Sequence, residues 1–368
     1  MKQTIKSEFI ILGAGLAGLM VADELTSRDK KVTLIDINQL GSGASFAPLV
    51  LINPATGRRA KMAWKAEECI HAVTEVLERI RDQSKSEFFI KNGVLRPALI
   101  EKMSKDFKRS PDKYDWSSAD WIQWSEKEEL ENRFPYLSNT FGGLTISEGF
   151  TINTRIFLND LYKQLIQKGL MSYFNQTYSI NTDEEGNHQI RLENGNCIQT
   201  EHIIFAVGAG ISNFDEWSYL PLERVKGQTL TVEFDKPLPL THSISSMGYF
   251  AYDPKVPNRL VVGSTYEHDF DYEKPDEKGK ETLLKKLDKT LPGLSSAISK
   301  ISQWSGVRVT TQDHQPIIGT HYSQKHLHII TGLGSKGIIY SKYLSKELCD
   351  HLLDQTPISP EVNADRFL

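Results

Sequence analysis

The sequence predicts an α/β fold in which a doubly wound, mostly parallel sheet is interleaved with a second domain built on an antiparallel sheet. Three observations carry this reading. An apolar run, Phe9 to Leu12, breaks into Gly13, Gly15 and Gly18 ahead of a helical pattern, and a second run, Lys31 to Ile35, closes on Asp36. Two later apolar strands, one starting at His202 and one at His326, also end in glycines ahead of a turn or helix. Finally, the 368 residues are enough for two domains, yet no linker, internal repeat or low-complexity segment divides them.

The first unit reads as a Rossmann-like dinucleotide site. Gly13 allows the tight strand-to-helix turn, Gly15 lets backbone approach a pyrophosphate, and Gly18 lets helix and strand pack closely. The helix start, including Leu16 and Ala17, offers free N–H groups and a positive dipole end to the phosphates. Asp36 lies 18 positions past Gly18, where a carboxylate accepts ribose hydroxyls, and no nearby arginine replaces it. FAD or NAD therefore fits better than NADP. One rival is a glycine-rich turn of another α/β unit. Another is a signal peptide, since Lys2 and Lys6 precede the apolar stretch Phe9 to Ala22. Three spaced glycines and an unbroken passage into Asp23 and Glu24 argue against it.

The loop from Gly41 to Trp64 is rich in Gly, Ala, Ser and Pro yet apolar, as an ordered loop pressed against a ligand would be. An NAD domain would go straight into its crossover helix, so this detour favours a flavin enzyme. Ser42, Ala44, Ser45 and Asn53 are the loop's candidates around the flavin or ribityl chain. Arg58 and Arg59 are expected to open a helix running to about Arg81, as either a solvated start or a phosphate contact. Phe88 to Pro97 reads as a strand and Ala98 to Lys108 as an amphipathic helix. Trp116, Trp121 and Trp124 read as the core of a small sheet rather than a pocket lining. A charged helix follows from Ser125 to Arg133, then a hairpin over Gly142 to Asn153 and a helix over Thr154 to Lys168. Strands at Ser172 to Asn181 and Gln189 to Leu192, with turns at Glu185-Gly186 and Asn194-Gly195, form a meander. Gly208 and Gly210 then give a second backbone approach to the dinucleotide.

Val225 to Gln228 read VKGQ and lead into an alternating strand. Ser246 to Pro254 carries Tyr249, Phe250 and Tyr252, giving that strand an aromatic face. After a strand at Arg259 to Thr265 comes a polar turn, and then a charged helix from Lys278 to Leu291. The closing part holds GVRVTTQDHQPIIG (Gly306 to Gly319), the strand His326 to Thr331, the loop Gly332 to Gly337 and a last helix to about Leu353.

Composition is ordinary for a globular protein, with 39% hydrophobic and 24% charged residues. A net charge of −4 argues against a protein whose main task is wrapping nucleic acid, although basic patches occur at Arg58-Arg59-Lys61, Lys102 to Lys113 and Lys278 to Lys289. Cys69, Cys197 and Cys349 are far apart, odd in number and form no CxxC pair. A metal site and a disulfide framework are not expected, and a reducing cytoplasm fits. No apolar run is long enough to span a bilayer.

GAGLAG with Asp36, GASFAP, FAVGAG, KGQ, VVGSTYEHDFD, GVRVTTQDHQPIIG and GLGSKGI together resemble the D-amino-acid oxidase family of flavoenzymes over nearly the whole chain. That family includes glycine oxidase, sarcosine oxidase and the flavin domain of the bifunctional enzyme that modifies tRNA wobble uridines. GLGSKGI looks most like this last branch. Lys226 departs from the arginine common in glycine oxidase. The resemblance implies that an amine α to a carboxylate is oxidised by hydride transfer to flavin N5 and that the imine is then hydrolysed. It assigns Arg308 to the substrate carboxylate, a structural salt bridge being the alternative, and Tyr249 or Tyr252 to the other side of the substrate, a core tyrosine being the alternative. It also places Gly334, Ser335, Gly337 and Ile338 at a helix start facing the flavin, with Lys336 as an added positive charge or else an exposed lysine. His268 and His314 are not assigned as bases, because hydride transfer from a neutral amine needs none. With no cysteine between Arg308 and Gly319, FAD is expected to be held non-covalently.

The FAD-binding domain is expected from residues 1–85, 151–218 and 305–368, and the substrate domain from 86–150 and 219–304. Three functions remain open: oxidation of a small amine or amino acid, removal of a carboxymethyl group from a wobble-uridine amine in tRNA, and a dinucleotide-binding module without turnover.

Overall fold

Strands covered on both faces must be apolar throughout, and Phe9–Leu12 is buried at every position. In the computed structural model, which describes residues 4–116, 119–183 and 187–368, this strand lies inside a six-stranded sheet. The strands are Phe9–Leu12 (β1), Val32–Asp36 (β2), Met171–Phe174 (β3), His202–Phe205 (β4), Ile317–Thr320 (β5) and Leu327–Thr331 (β6), in the spatial order β3-β2-β1-β4-β6-β5. All neighbours run parallel except β5, which returns antiparallel to β6.

The longer helices are Leu16–Ser27 (α1), Ala66–Ser84 (α2), Thr154–Gln167 (α3), Glu277–Thr290 (α4) and Gly337–Asp354 (α5). Phe9 and Ile11 point into a core shared with α1, α2, α3 and α5, whereas Ile10 and Leu12 point into a second core on the opposite face. There a smaller sheet of Thr4–Lys6, Cys197–Thr200, His188–Leu192 and Tyr178–Thr182 covers the strands. Asp23 of α1 ties the helical layer together, pairing with Arg79 of α2 at 2.7 Å, Lys342 of α5 at 2.9 Å and Lys168 just past α3 at 3.4 Å.

An eight-stranded sheet stands beside this unit, in the order Ile298–Thr311, Leu222–Phe234, Arg259–Gly263, Tyr249–Tyr252, Ser243–Ser245, Val94–Pro97, Gly143–Ile146, Ile122–Ser125. It is antiparallel apart from the join between Ser243–Ser245 and Val94–Pro97. Leu283 and Leu287 of α4 cover one face, against Leu230, Val232, Phe250 and Val262.

Several expected elements differ. The helix expected from Arg58 begins instead at Ala66. Ala55–Thr56 and Lys61–Met62 pair as a short hairpin, and Gly57 (φ +66°) and Ala60 (φ +49°) turn its tip, which carries Arg58 and Arg59. Phe88 to Pro97 is broken at Gly93 (φ +74°) into Phe89–Ile90 and Val94–Pro97. Gly142 to Asn153 is not a hairpin. Gly143–Ile146 belongs to the eight-stranded sheet, while Phe150–Ile152 pairs with Val50–Ile52 and Phe89–Ile90 in a separate sheet, so distant partners displace the local pairing. Ser172 to Asn181 likewise divides, with Met171–Phe174 joining β2 and Tyr178–Thr182 opening the meander. The turn read at Glu185-Gly186 lies outside the described residues, and that at Asn194-Gly195 is present, with Gly195 at φ +86°. Trp116 is in the core cluster of Phe107, Ile122 and Leu144, and Trp121 and Trp124 pack against it. None of the described helices is long and apolar enough to cross a membrane.

Candidate active site

Because β1, β4 and β6 are adjacent and parallel, the three glycine-bearing strand ends lie side by side along one edge of the sheet. Ligands of open α/β sheets bind at such carboxyl ends. The Ala206 N–H donates to the Leu12 carbonyl at 2.8 Å, and this close approach leaves no room beside Gly13. A Cβ there would stand 2.4 Å from the Ala206 oxygen, and the residue sits at φ +102°. A Cβ on Gly18 would meet the Gly13 oxygen at 1.9 Å, so the helix packs on its strand only through glycine.

Gly15 caps α1 without a side-chain bond. The Leu16 N–H donates to Ser45 Oγ at 3.0 Å, and the next N–H groups, of Ala17 and Gly18, lie at the uncapped helix start. Asp36 closes the turn, its Oδ2 accepting from the Ala14 N–H at 2.7 Å and its Oδ1 from the Asn38 N–H at 2.8 Å. Burial raises the Asp36 carboxyl above its usual range, against those two bonds.

The start of α5 meets the start of α1, since a Cβ on Gly337 would rest 3.4 Å from Leu16 Cδ2. Gly334 turns into it at φ +55°, its N–H donating to the Val309 carbonyl at 2.8 Å. Lys336 is the cap residue; its Nζ donates to the His314 carbonyl at 2.9 Å and lies 5.2 Å from the Tyr340 ring centre. Burial holds this ammonium below the usual lysine range, against the pull of Asp313 and Tyr266. Ser335 is exposed, Ile338 is half-buried, and Gly208 (φ +53°) has open space where a side chain would stand. The single turn Ala44–Phe46 lies against Gly306, whose Cβ would approach Ala44 Cα to 2.9 Å.

Arg308 lies two residues on, on the same strand. It donates from Nη1 to Ser264 Oγ at 3.3 Å and from Nη2 to the Thr265 carbonyl at 2.8 Å. Its guanidinium lies 4.5 Å from the Tyr266 ring centre. Tyr266 is 60% exposed, so its ring forms a wall open to ligands. Desolvation acts to raise its hydroxyl, but the Arg308 charge, helped by the polar groups of Ser335 and Ser264, brings it below the usual tyrosine range. Tyr249 lies across Gly263, where a Cβ would come within 2.3 Å of its ring. Burial pushes the Tyr249 phenol up, Arg308 opposing and Tyr266 adding. Lys286 of α4 reaches the same segment, donating from Nζ to the Ser264 carbonyl at 2.8 Å. Burial lowers its ammonium, reinforced by Arg58 and Arg308 and opposed by Tyr266.

Tyr249 and Arg308 therefore come together, and Tyr252 does not. Alternate strand residues face opposite ways, and Tyr252, 3% exposed, lies with Phe250 in the core beneath α4. Asn53 serves the hairpin, its Oδ1 accepting from the Ala55 N–H at 3.0 Å, and Ser42 is exposed. His268 stands exposed 3.7 Å from Glu223, and His314 turns the loop at φ +58°. Sequence reasoning missed Ser264, Tyr266 and Lys286. Lys286 had a signal, since it falls on the buried stripe of Gly279, Leu283, Leu287 and Thr290.

The sheet edge fits FAD. A Cβ on Gly15 would come 3.1 Å from Ser45 Oγ, filling the groove a pyrophosphate needs, and each Asp36 oxygen keeps a lone pair for a ribose hydroxyl.

Residues 8–351 match the family model described as FAD dependent oxidoreductase, DAO. The chain is 24% identical, over 99% of its length, to the tRNA 5-methylaminomethyl-2-thiouridine biosynthesis bifunctional protein MnmC of Acinetobacter baylyi, and spans 56% of that protein. It is 22% identical to glycine oxidase of Bacillus subtilis, covering 97% of this chain and 95% of that one. The crystal structure of glycine oxidase from Geobacillus kaustophilus shares the fold, with a TM-score of 0.84 at 21% identity over 97% of each chain.

Proposed function

Because this chain belongs to the DAO family of FAD-dependent oxidoreductases, we propose that it oxidises the C–N bond of an amino acid or N-substituted glycine. The observation that carries this reading is the Arg308 guanidinium, set against the Tyr266 ring with Tyr249 across the adjoining Gly263, beside the glycine-rich edge. A guanidinium there grips a carboxylate and fixes the orientation of the α-carbon. FAD, when bound, supplies the two-electron acceptor. The uncapped start of α1, Ser45 and Asp36 hold its dinucleotide part, and the start of α5 with Lys336 offers positive potential to the ring system. Residues 1–85, 151–218 and 305–368 make the FAD-binding part, and 86–150 with 219–304 the substrate part. No cysteine lies between Arg308 and Gly319, in keeping with non-covalent FAD, and the three unpaired thiols suit a reducing cytoplasm.

The test is anaerobic titration of the purified yellow protein with glycine, sarcosine, proline and D-amino acids. Bleaching of the flavin bands by one of them is the expected result, and bands that none of them bleaches would refute the small-amine reading.

A second reading, removal of a carboxymethyl group from a wobble-uridine amine in tRNA, uses the same chemistry. Arg58 and Arg59, exposed side by side at the hairpin tip, favour it as candidate phosphate contacts. Binding of tRNA that weakens steeply with salt would support it, and no binding at low salt would remove it.

A further inference from the structure

Lys286 is a second cation beside Arg308 at Ser264-Thr265, and nothing in the amine-oxidising reading requires it. It leaves α4 on the helix's buried stripe, and its stem passes Gly248, where an added Cβ would meet its Cδ at 3.4 Å. A lysine on such a stripe is unfavourable unless its ammonium is given partners. The protein supplies one neutral partner, the Ser264 carbonyl at 2.8 Å, and an ammonium has three donors.

Arg308 grips the same dipeptide, bonding Ser264 Oγ at 3.3 Å and the Thr265 carbonyl at 2.8 Å. Two positive charges thus converge on the neutral pair Ser264-Thr265. Among the described residues neither Lys286 nor Arg308 has an ion pair. The contrast with Lys226 is direct. That lysine, 1% exposed on the strand beside Arg308, is neutralised by both Asp276 and Glu267. Carboxylates are therefore placed beside the buried Lys226, and withheld from the two cations that converge on Ser264-Thr265. Like charges held together repel until an anion of matching charge arrives.

We propose that the preferred substrate carries two carboxylates, an amino or N-substituted amino dicarboxylate, with the α-carboxylate on Arg308 and the second on Lys286. This rests on the oxidoreductase reading and narrows its substrate class. Lys286 then determines specificity, selecting acidic over neutral amino acids, while Tyr249 and Tyr266 enclose the carbon chain between the two charges.

The experiment measures binding rather than turnover. Dissociation constants of succinate and butyrate, and of glutarate and pentanoate, are measured by calorimetry on the FAD-saturated protein. Each dicarboxylate should bind at least about tenfold tighter than the monocarboxylate of equal length, one further charge-assisted bond being worth that much. In Lys286→Met, or Lys286→Gln if the first variant does not fold, that ratio should fall to about one. A ratio near one in the unaltered protein overturns the proposal, and so does a ratio that survives either substitution. Failure of both classes to bind overturns both this proposal and the carboxylate role of Arg308. Failure of the oxidoreductase reading has a different signature, a flavin that no amine reduces, and it leaves the binding ratios readable.

Discussion

Arg308 lies across the bare backbone of Gly227. A Cβ on that glycine would stand 2.0 Å from Arg308 Nη2 and 2.7 Å from Cζ, so the missing side chain is what lets the guanidinium lie flat. Gly227→Ala is expected to displace it and lower kcat/KM by about a hundredfold, mostly through KM, as a misplacement of roughly 1 Å does. Flavin content and absorbance should stay as they are. Steady-state kinetics beside the visible spectrum checks both.

Arg308→Ala should weaken carboxylate ligands by roughly two orders of magnitude, since a charge-assisted pair is lost. The variant should still purify yellow. Equal loss of flavin would overturn the carboxylate role.

Asp36→Ala removes the acceptor of the Ala14 N–H together with the proposed acceptor for the ribose. FAD affinity should fall by about tenfold or more, at about 1.5–3 kcal/mol per bond to a charged group. Quenching of FAD fluorescence on titration measures it.

Asp23→Asn strips the carboxylate from Arg79 and Lys168 and one of the two from Lys342, which keeps Glu24 at 2.6 Å, within the helical layer. Burial works against the Asp23 carboxylate, and Lys342 with Arg79 more than offsets this, holding it below the usual range. The variant should lose about 3 kcal/mol of stability by urea unfolding, the cost of breaking a buried ionic cluster. An unchanged midpoint would contradict the tie.

A histidine group on the sheet predicts acid sensitivity. His202 Nδ1 lies 3.0 Å from His328 Nε2, and His328 Nδ1 lies 2.9 Å from Thr320 Oγ1. Burial, then repulsion from neighbouring histidines, holds His188, His202 and His328 below the usual range, with Asp183 opposing weakly at His188 and Glu201 at His202. In the unfolded chain they protonate near about 6.5. The unfolded state therefore binds more protons below that pH, and stability present above it is lost as pH falls. The urea midpoint should drop between pH 7.5 and 5.5, by up to about 1.4 kcal/mol per group per pH unit.

The cofactor side was legible because its constraints are local. A glycine that must turn, such as Gly13, and an acid at a strand end, Asp36, sit within one strand-helix-strand unit. The surroundings of Arg308 were less legible because they come from partners distant in sequence. Tyr249 and Tyr252 are alike in sequence, and only which face of the sheet carries α4 separates them. Tyr266 carried no signal within its polar turn, and Lys286 was hidden in a charged helix although its place on the buried stripe marked it. Gly143–Ile146 and Phe150–Ile152 misled for the same reason, since adjacency in sequence gave no hint that each pairs elsewhere.

The position of β4 between β1 and β6 also governs how the protein can be made. During translation the glycine motif leaves the ribosome early, yet the flank of β1 that β4 will occupy stays bare until His202 to Phe205 emerge, and β6 follows more than a hundred residues later. A nascent chain stopped before that point carries the whole motif with an unpaired apolar edge, an aggregation hazard for which a chaperone is suited. A fragment ending before β4 would contain every glycine of the first turn and still present β1 with one unpaired edge.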